Sequence, residues 1–333
     1  MSAPTFTRPR VTQTRLLDKY VLPKIALTVI TVSSFVGVWL TMTTHGAQGW
    51  IDIVPRWLHL ISFAALAGGY MWKALFVRRA ENEAHQGAFA ALAAGQYRRF
   101  RRLTKIALSI FVGGAVWDAV RFAGWGVGWL VWADWLLVFL LVLVVGKDAF
   151  APGSGQSPFS EQPVAYAALV LLLLNGLVQA AFDVVLAQGW QPAPLLVRWL
   201  HLSAFGLWFG GALWNIFIAV PAARDVVSRP VVMAAGQQLE RFRVAVRLIL
   251  PTLILTGLWQ AYRYVGLSLA ALTGSTIGLL ILAKVALVVA LVVIFLTCPM
   301  WRACSPIAGM CKMEDLSGQS VMTPQASFSK SEV

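Results

Sequence analysis

His59 and His201 sit in near-identical strings: Arg56-Trp57-Leu58-His59-Leu60, then Phe63, Gly68-Gly69 and Trp72, and Arg198-Trp199-Leu200-His201-Leu202, then Phe205, Gly210-Gly211 and Trp214. A neutral imidazole nitrogen ligates copper, zinc and haem iron alike. Two histidines at matched depth can therefore hold one b-type haem, or with His45 as a third ligand a copper ion. A lone histidine in such a place commonly hydrogen-bonds a backbone carbonyl, whereas duplication of the whole string points to function.

Other groups extend the chemistry. Asp118 and Arg121 lie three apart, the spacing of a pair on one helix face; the matching positions carry Gln260 and Arg263, so the acid is lost and the base kept. Arg121 and Arg263 can neutralise an anionic group or snorkel to lipid headgroups. Lys284 falls inside an apolar run with no carboxylate of its own, so either its partner comes from another helix or the lysine is neutral. Cys298, Cys304, Cys311 and Met313 follow the last apolar run; soft sulfur ligands suit Cu(I), and the spacings are not those of a zinc finger.

The elements that must carry these residues are membrane helices. With 59% hydrophobic and 12% charged residues and a mean hydropathy of +0.72, the chain has too little charge to cover a water-soluble globule. A helix needs about 20 apolar residues to cross about 30 Å of hydrocarbon. Suitable runs lie near Ile25–Thr44, Trp57–Val77, Leu103–Arg121, Leu130–Gly146, Val164–Ala187, Trp199–Val220, Val246–Gly266 and Ile277–Thr297, with Arg247 at the edge of the seventh and counted with the loop before it.

The offset of 142 residues (198 − 56) also maps Gln96, Arg99, Phe100 and Arg101 onto Gln238, Arg241, Phe242 and Arg243, and Trp117 onto Trp259. The chain thus reads as an all-α membrane protein of eight transmembrane helices in two parallel four-helix repeats, 25–146 and 164–297. Around them lie an amino-terminal segment (1–24), a Pro/Gly/Ser-containing linker (147–163) and a polar Cys/Met-containing tail (298–333). In parallel repeats His59 and His201 share one depth and can face each other across the axis.

The net charge of +13 is concentrated before the first span, between the second and third, and between the sixth and seventh. By the positive-inside rule those segments and both termini are cytoplasmic, which places the histidines near the opposite face. A bacterial inner membrane is the expected location and the lipid bilayer the expected surroundings. Nucleic acid is not an expected partner, and the sequence carries no phosphate-binding glycine loop or hydrolytic triad.

The second half resembles the membrane domain of the copper resistance protein D (CopD) family: Trp199-Leu200-His201 running into Trp208-Phe209-Gly210-Gly211, then Arg241-Phe242-Arg243, Thr256-Gly257, Tyr262-Arg263-Tyr264-Val265-Gly266 and Gly278-Leu279-Leu280 with Lys284. The first half keeps the Arg-Trp-Leu-His and Gly-Gly elements but has Val142 in place of the lysine. The resemblance implies copper handling at the extracytoplasmic face, movement of copper across or into the membrane, and a periplasmic copper-binding protein or other membrane subunits as partners. Methionine is scarce near the histidines, Met42 being alone there, a departure from a Cu(I)-capturing face. A more distant similarity to HemJ-type protoporphyrinogen oxidases implies haem b instead, with His59 and His201 as axial ligands. An accessory subunit whose repeated string only packs helices is a third possibility.

Overall fold

The computed structural model describes residues 21–44, 46, 49–122, 124, 126–150, 159, 162–266 and 268–297. Every regular element among them is helical: α1 (Val21–Thr44), α2 (Trp50–Met71), α3 (Gln86–Phe122), α4 (Gly128–Phe150), α5 (Gln162–Gln188), α6 (Pro192–Trp214), a short α7 (Val220–Asp225), α8 (Arg229–Val265), a short α9 (Leu269–Gly274) and α10 (Thr276–Thr297). Eight of these, taken with their continuations, are long and apolar enough to cross a membrane. Helix is what apolar surroundings dictate, because only intrasegment bonds can satisfy the backbone of a single span. Hydroxyls on these helices bond back to carbonyls a turn earlier, as Thr31 does to Leu27 and Thr41 to Gly37.

Two elements run beyond the apolar segments. α3 begins at Gln86 and α8 at Arg229, so the arginines expected in loops, Arg98 to Arg102 and Arg241 to Arg247, stand on helices instead. Arginine is a good helix former, and hydropathy registers only the apolar part of such a helix. Lys73, near the end of the second span, is buried with Nζ 4.6 Å from the centre of the Tyr97 ring.

α2 and α6 form the centre. Each passes into a single π-helical turn, Trp72–Phe76 and Asn215–Ala219, a local widening common where a helix serves function. The two helices pack along each other, and the approach is close enough that a Cβ on Gly68 would overlap the backbone of Gly210 and Gly211. Gly69 and Gly211 each lie beneath a phenylalanine, Phe100 and Phe242. Small residues bring membrane helices together where lipid supplies no hydrophobic drive.

Around this centre α2 packs on α3 and α6 on α8, while α1 lies along α10 and α4 along α5. The first spanning helix of each half therefore rests on the last of the other, and the halves do not sort into two separate bundles. Several contacts join residues separated by the 142-residue offset: Gly68 with Gly210, Gln96 with Gln238, and Trp72 with Trp214, whose rings stack with centroids 6.1 Å apart.

Candidate functional site

Polar side chains gather at the end of the core where α2 and α6 begin. Arg56, in the second turn of α2, is 2% exposed. Its Nη1 donates to Asp118 Oδ2 of α3 at 2.8 Å and to Gln179 Oε1 of α5, and its Nη2 donates to Asp183 Oδ1 of α5 at 2.9 Å. Asp183 then meets the second arginine of the repeated strings, with Arg198 Nε donating to Asp183 Oδ2 at 2.8 Å. Arg198 completes its fork on Gln260 Oε1 of α8 at 3.1 Å and Thr41 Oγ1 of α1 at 3.0 Å. Planar guanidinium groups with several fixed donors suit such bridging. One carboxylate thus lies between Arg56 and Arg198, and the cluster ties α1, α2, α3, α5, α6 and α8 together.

Gln179 relays the cluster further, donating from Nε2 to Asp134 Oδ1 at 2.8 Å, while Asn175 Nδ2 donates to the same oxygen at 2.6 Å. Asp134 is 1% exposed, so a carboxylate of α4 is held in the core by two neutral amides.

His59 lies one turn below Arg56 on α2. Its Nδ1 is 2.7 Å from Asp118 Oδ2, its ring meets Phe111 edge-on, and a Cβ on Gly114 would collide with its Cβ and Cγ. The residue is fully enclosed, and Nε2 has no hydrogen-bond partner among the described residues. In the neutral tautomer that donates Nδ1–H to Asp118, the lone pair is at Nε2. This carboxylate-oriented imidazole is the arrangement that fixes histidine ligands in metal sites.

His201 has different surroundings. Thr256 Oγ1 donates to the Thr252 carbonyl, so its lone pair accepts from His201 Nδ1 at 2.9 Å. Gly257 lies beside Cε1. His59 is thus set against α3 and His201 against α8, each imidazole held by its own partner. Among the described residues no group of three or more His, Cys, Asp or Glu is arranged to hold a metal ion. His45, the expected third ligand, lies outside the described residues, as do Cys298, Cys304, Cys311 and Met313.

The expected Asp118–Arg121 pair is not formed. Asp118 turns inward to Arg56 and His59, and Arg121 Nε lies 3.1 Å from Asp52 Oδ1 at the rim; the buried guanidinium of Arg56 draws the acid to the core. Arg263 donates to Gln188 and Gln191 and lies over the Trp259 ring. Lys284 is half-buried, with Nζ beside Gly37 of α1.

A porphyrin held by both histidines would need a slot between α2 and α6. Phe63 fills that region against Gly176 and Gly206, and the glycine contact closes it below. The residues present do not fit a shared haem.

The fold and this cluster define a multi-pass all-α membrane protein with a buried arginine–carboxylate–histidine network. Residues 236–305 match the family described as copper resistance protein D. That region holds most of α8 together with α9 and α10, and so contains Thr256, Gln260 and Lys284. No curated protein and no solved structure matches the chain.

Proposed function

We propose that the protein handles copper, taking the ion at the end of the bundle that carries the network and moving it across or into the membrane. The observation that carries this reading is the His59–Asp118 pair: Nδ1 bound to a carboxylate already shared with Arg56, and an enclosed Nε2 without a partner. Burying such a nitrogen unmatched is costly, and a soft or borderline metal cation satisfies it. His201, oriented by Thr256, offers a second ligand position. The match to copper resistance protein D supports copper as the cargo.

Arg78, Arg79, Arg98, Arg99, Arg101 and Arg102 lie toward the opposite end of the bundle. In a bacterial inner membrane, the positive-inside rule then puts both termini in the cytoplasm and the histidine end toward the periplasm. A periplasmic copper-binding protein is the natural donor to that face. Cys298, Cys304, Cys311 and Met313 would receive Cu(I) on the inner side.

The test is copper binding by the detergent-purified protein, measured by elemental analysis after titration and desalting, for wild type and the His59→Ala, His201→Ala double variant. Copper retained by wild type and lost in the double variant supports the reading. Equal copper in both, or none in wild type, sinks it and leaves the imidazoles a packing role. Uptake of copper into liposomes containing each protein then distinguishes transport from storage.

A further inference from the structure

At the arginine-rich end of the bundle a recess of about 190 Å³ opens where the start of α1 meets the continuation of α6 into α7; its lining includes Pro23, Lys24, Asn215, Phe217, Val220 and Arg224. It lies against the π-helical turn Asn215–Ala219, whose extra residue widens the helix there. Both charges in the lining are positive, and no carboxylate among the described residues lines the recess. Asp225, next to Arg224, is taken by Arg99, whose Nη2 lies 2.8 Å from Asp225 Oδ2. The same nitrogen donates to the carbonyl of Pro221 in the recess wall at 3.4 Å. A third cation therefore backs the site, and the acid beside it is already neutralised.

The depth is that of a lipid headgroup. The apolar span of α1 runs from Pro23 to Thr43 and that of α6 with α7 from Pro192 to Asp225, so Lys24 and Arg224 stand at the ends of two neighbouring spans. Beside them the outer surface is apolar, with Ile25 and Val32 of α1 and Phe217 exposed. Basic pockets between membrane helices at this level hold anionic headgroups. The offset-related positions carry Tyr166 and Asn82, so the basic pair belongs to one side of the bundle and is not repeated on the other.

We propose that this recess binds one anionic glycerophospholipid, its phosphodiester held between Lys24 and Arg224 and its acyl chains lying along Ile25, Val32 and Phe217. A guanidinium matches phosphate oxygens with two parallel donors, and the Asn215 amide adds a neutral one. A choline lipid has the same phosphate but brings its own cation against Lys24 and Arg224. Free phosphate has the charge without the chains. Lipid binding does not depend on the copper reading and is tested without metal.

The experiment is native mass spectrometry of the delipidated, metal-free, full-length protein in detergent, titrated with phosphatidylglycerol and separately with phosphatidylcholine of the same acyl chains. Wild type is compared with the Lys24→Gln, Arg224→Gln double variant and with Arg102→Gln, which removes a charge elsewhere at the same end. Wild type should take up one phosphatidylglycerol per chain in preference to phosphatidylcholine. The double variant should bind it about tenfold or more weakly, and Arg102→Gln should match wild type. Equal binding of the two lipids, or equal affinity in the double variant and wild type, overturns the proposal. So does displacement of the lipid by inorganic phosphate, which would make phosphate alone the ligand. Should the double variant fail to elute as a folded species, the two single variants decide: weaker phosphatidylglycerol binding supports the site, and unchanged affinity in both overturns it.

Discussion

Gln96 donates from Nε2 to Gln238 Oε1 at 2.8 Å, and Trp72 Nε1 donates to that same oxygen at 3.3 Å. The relationship is one-sided: Gln96 Oε1 and Trp214 Nε1, at the offset-related positions, are buried without hydrogen-bond partners. Gln238→Leu therefore strands two donors, at about 1–3 kcal/mol each, while Gln96→Leu strands none. Thermal unfolding in detergent should show Gln238→Leu clearly less stable than Gln96→Leu. Equal losses would mean that the amides act only as packing.

The glycine contact between α2 and α6 gives a second prediction. A methyl group at Gly68 has only the Gly210 backbone to displace, which cannot move as a side chain does, so Gly68→Ala should cost at least the 1–3 kcal/mol typical of overpacking, approximately. Gly236→Ala meets nothing within 4 Å and should leave the melting temperature unchanged or slightly raised.

Asp118→Asn removes the charge that both Arg56 and His59 meet. Breaking one side of a buried ion pair costs about 3–5 kcal/mol, and loss of an orienting carboxylate weakens a histidine metal site about 10–100-fold. Both stability and copper affinity should fall. Asp52→Asn, which removes the rim pair with Arg121, should cost about 0–1 kcal/mol. Copper titration and thermal unfolding of the two variants side by side check this, and comparable behaviour would refute the assignment of Asp118 to the site.

Thr256→Val separates orientation from folding at the second histidine. The hydroxyl bonds back to the Thr252 carbonyl within its own helix, so the helix survives the change, but His201 loses its acceptor. Copper bound through His201 should weaken about 10–100-fold, with near-normal unfolding. Unaltered copper binding would show that His201 is not a ligand.

The eight spans were legible because each is a run of apolar residues long enough to cross hydrocarbon, and Gly68-Gly69 and Gly210-Gly211 announced close helix contact. The histidines were legible from their repeated setting. The network around them was not: Arg56 meets Asp118 and Asp183 at sequence separations of 62 and 127, distances at which spacing carries no information. Asp118 seemed paired with its neighbour Arg121 because only local geometry can be read from a string. Arg56 and Arg198 were visible as parts of a motif, but nothing local showed that their guanidinium groups point inward and share Asp183. Two positively charged residues at matching places in a duplicated string, followed by carboxylates and amides on other apolar helices, are the signal that could have found them.

The partners of Arg56 also set an order on how the chain is made. α2 with its π-helical continuation is the least apolar of the eight spans, and a lone arginine within a span costs about 2.5–3.5 kcal/mol on insertion scales. Asp118 leaves the ribosome 62 residues after Arg56, and Asp183 only after 127. For that interval α2 is a half-neutralised segment that hydrocarbon does not welcome. The insertion machinery must shelter it until α3 and then α5 arrive, so the first half of the protein matures only once part of the second has been synthesised.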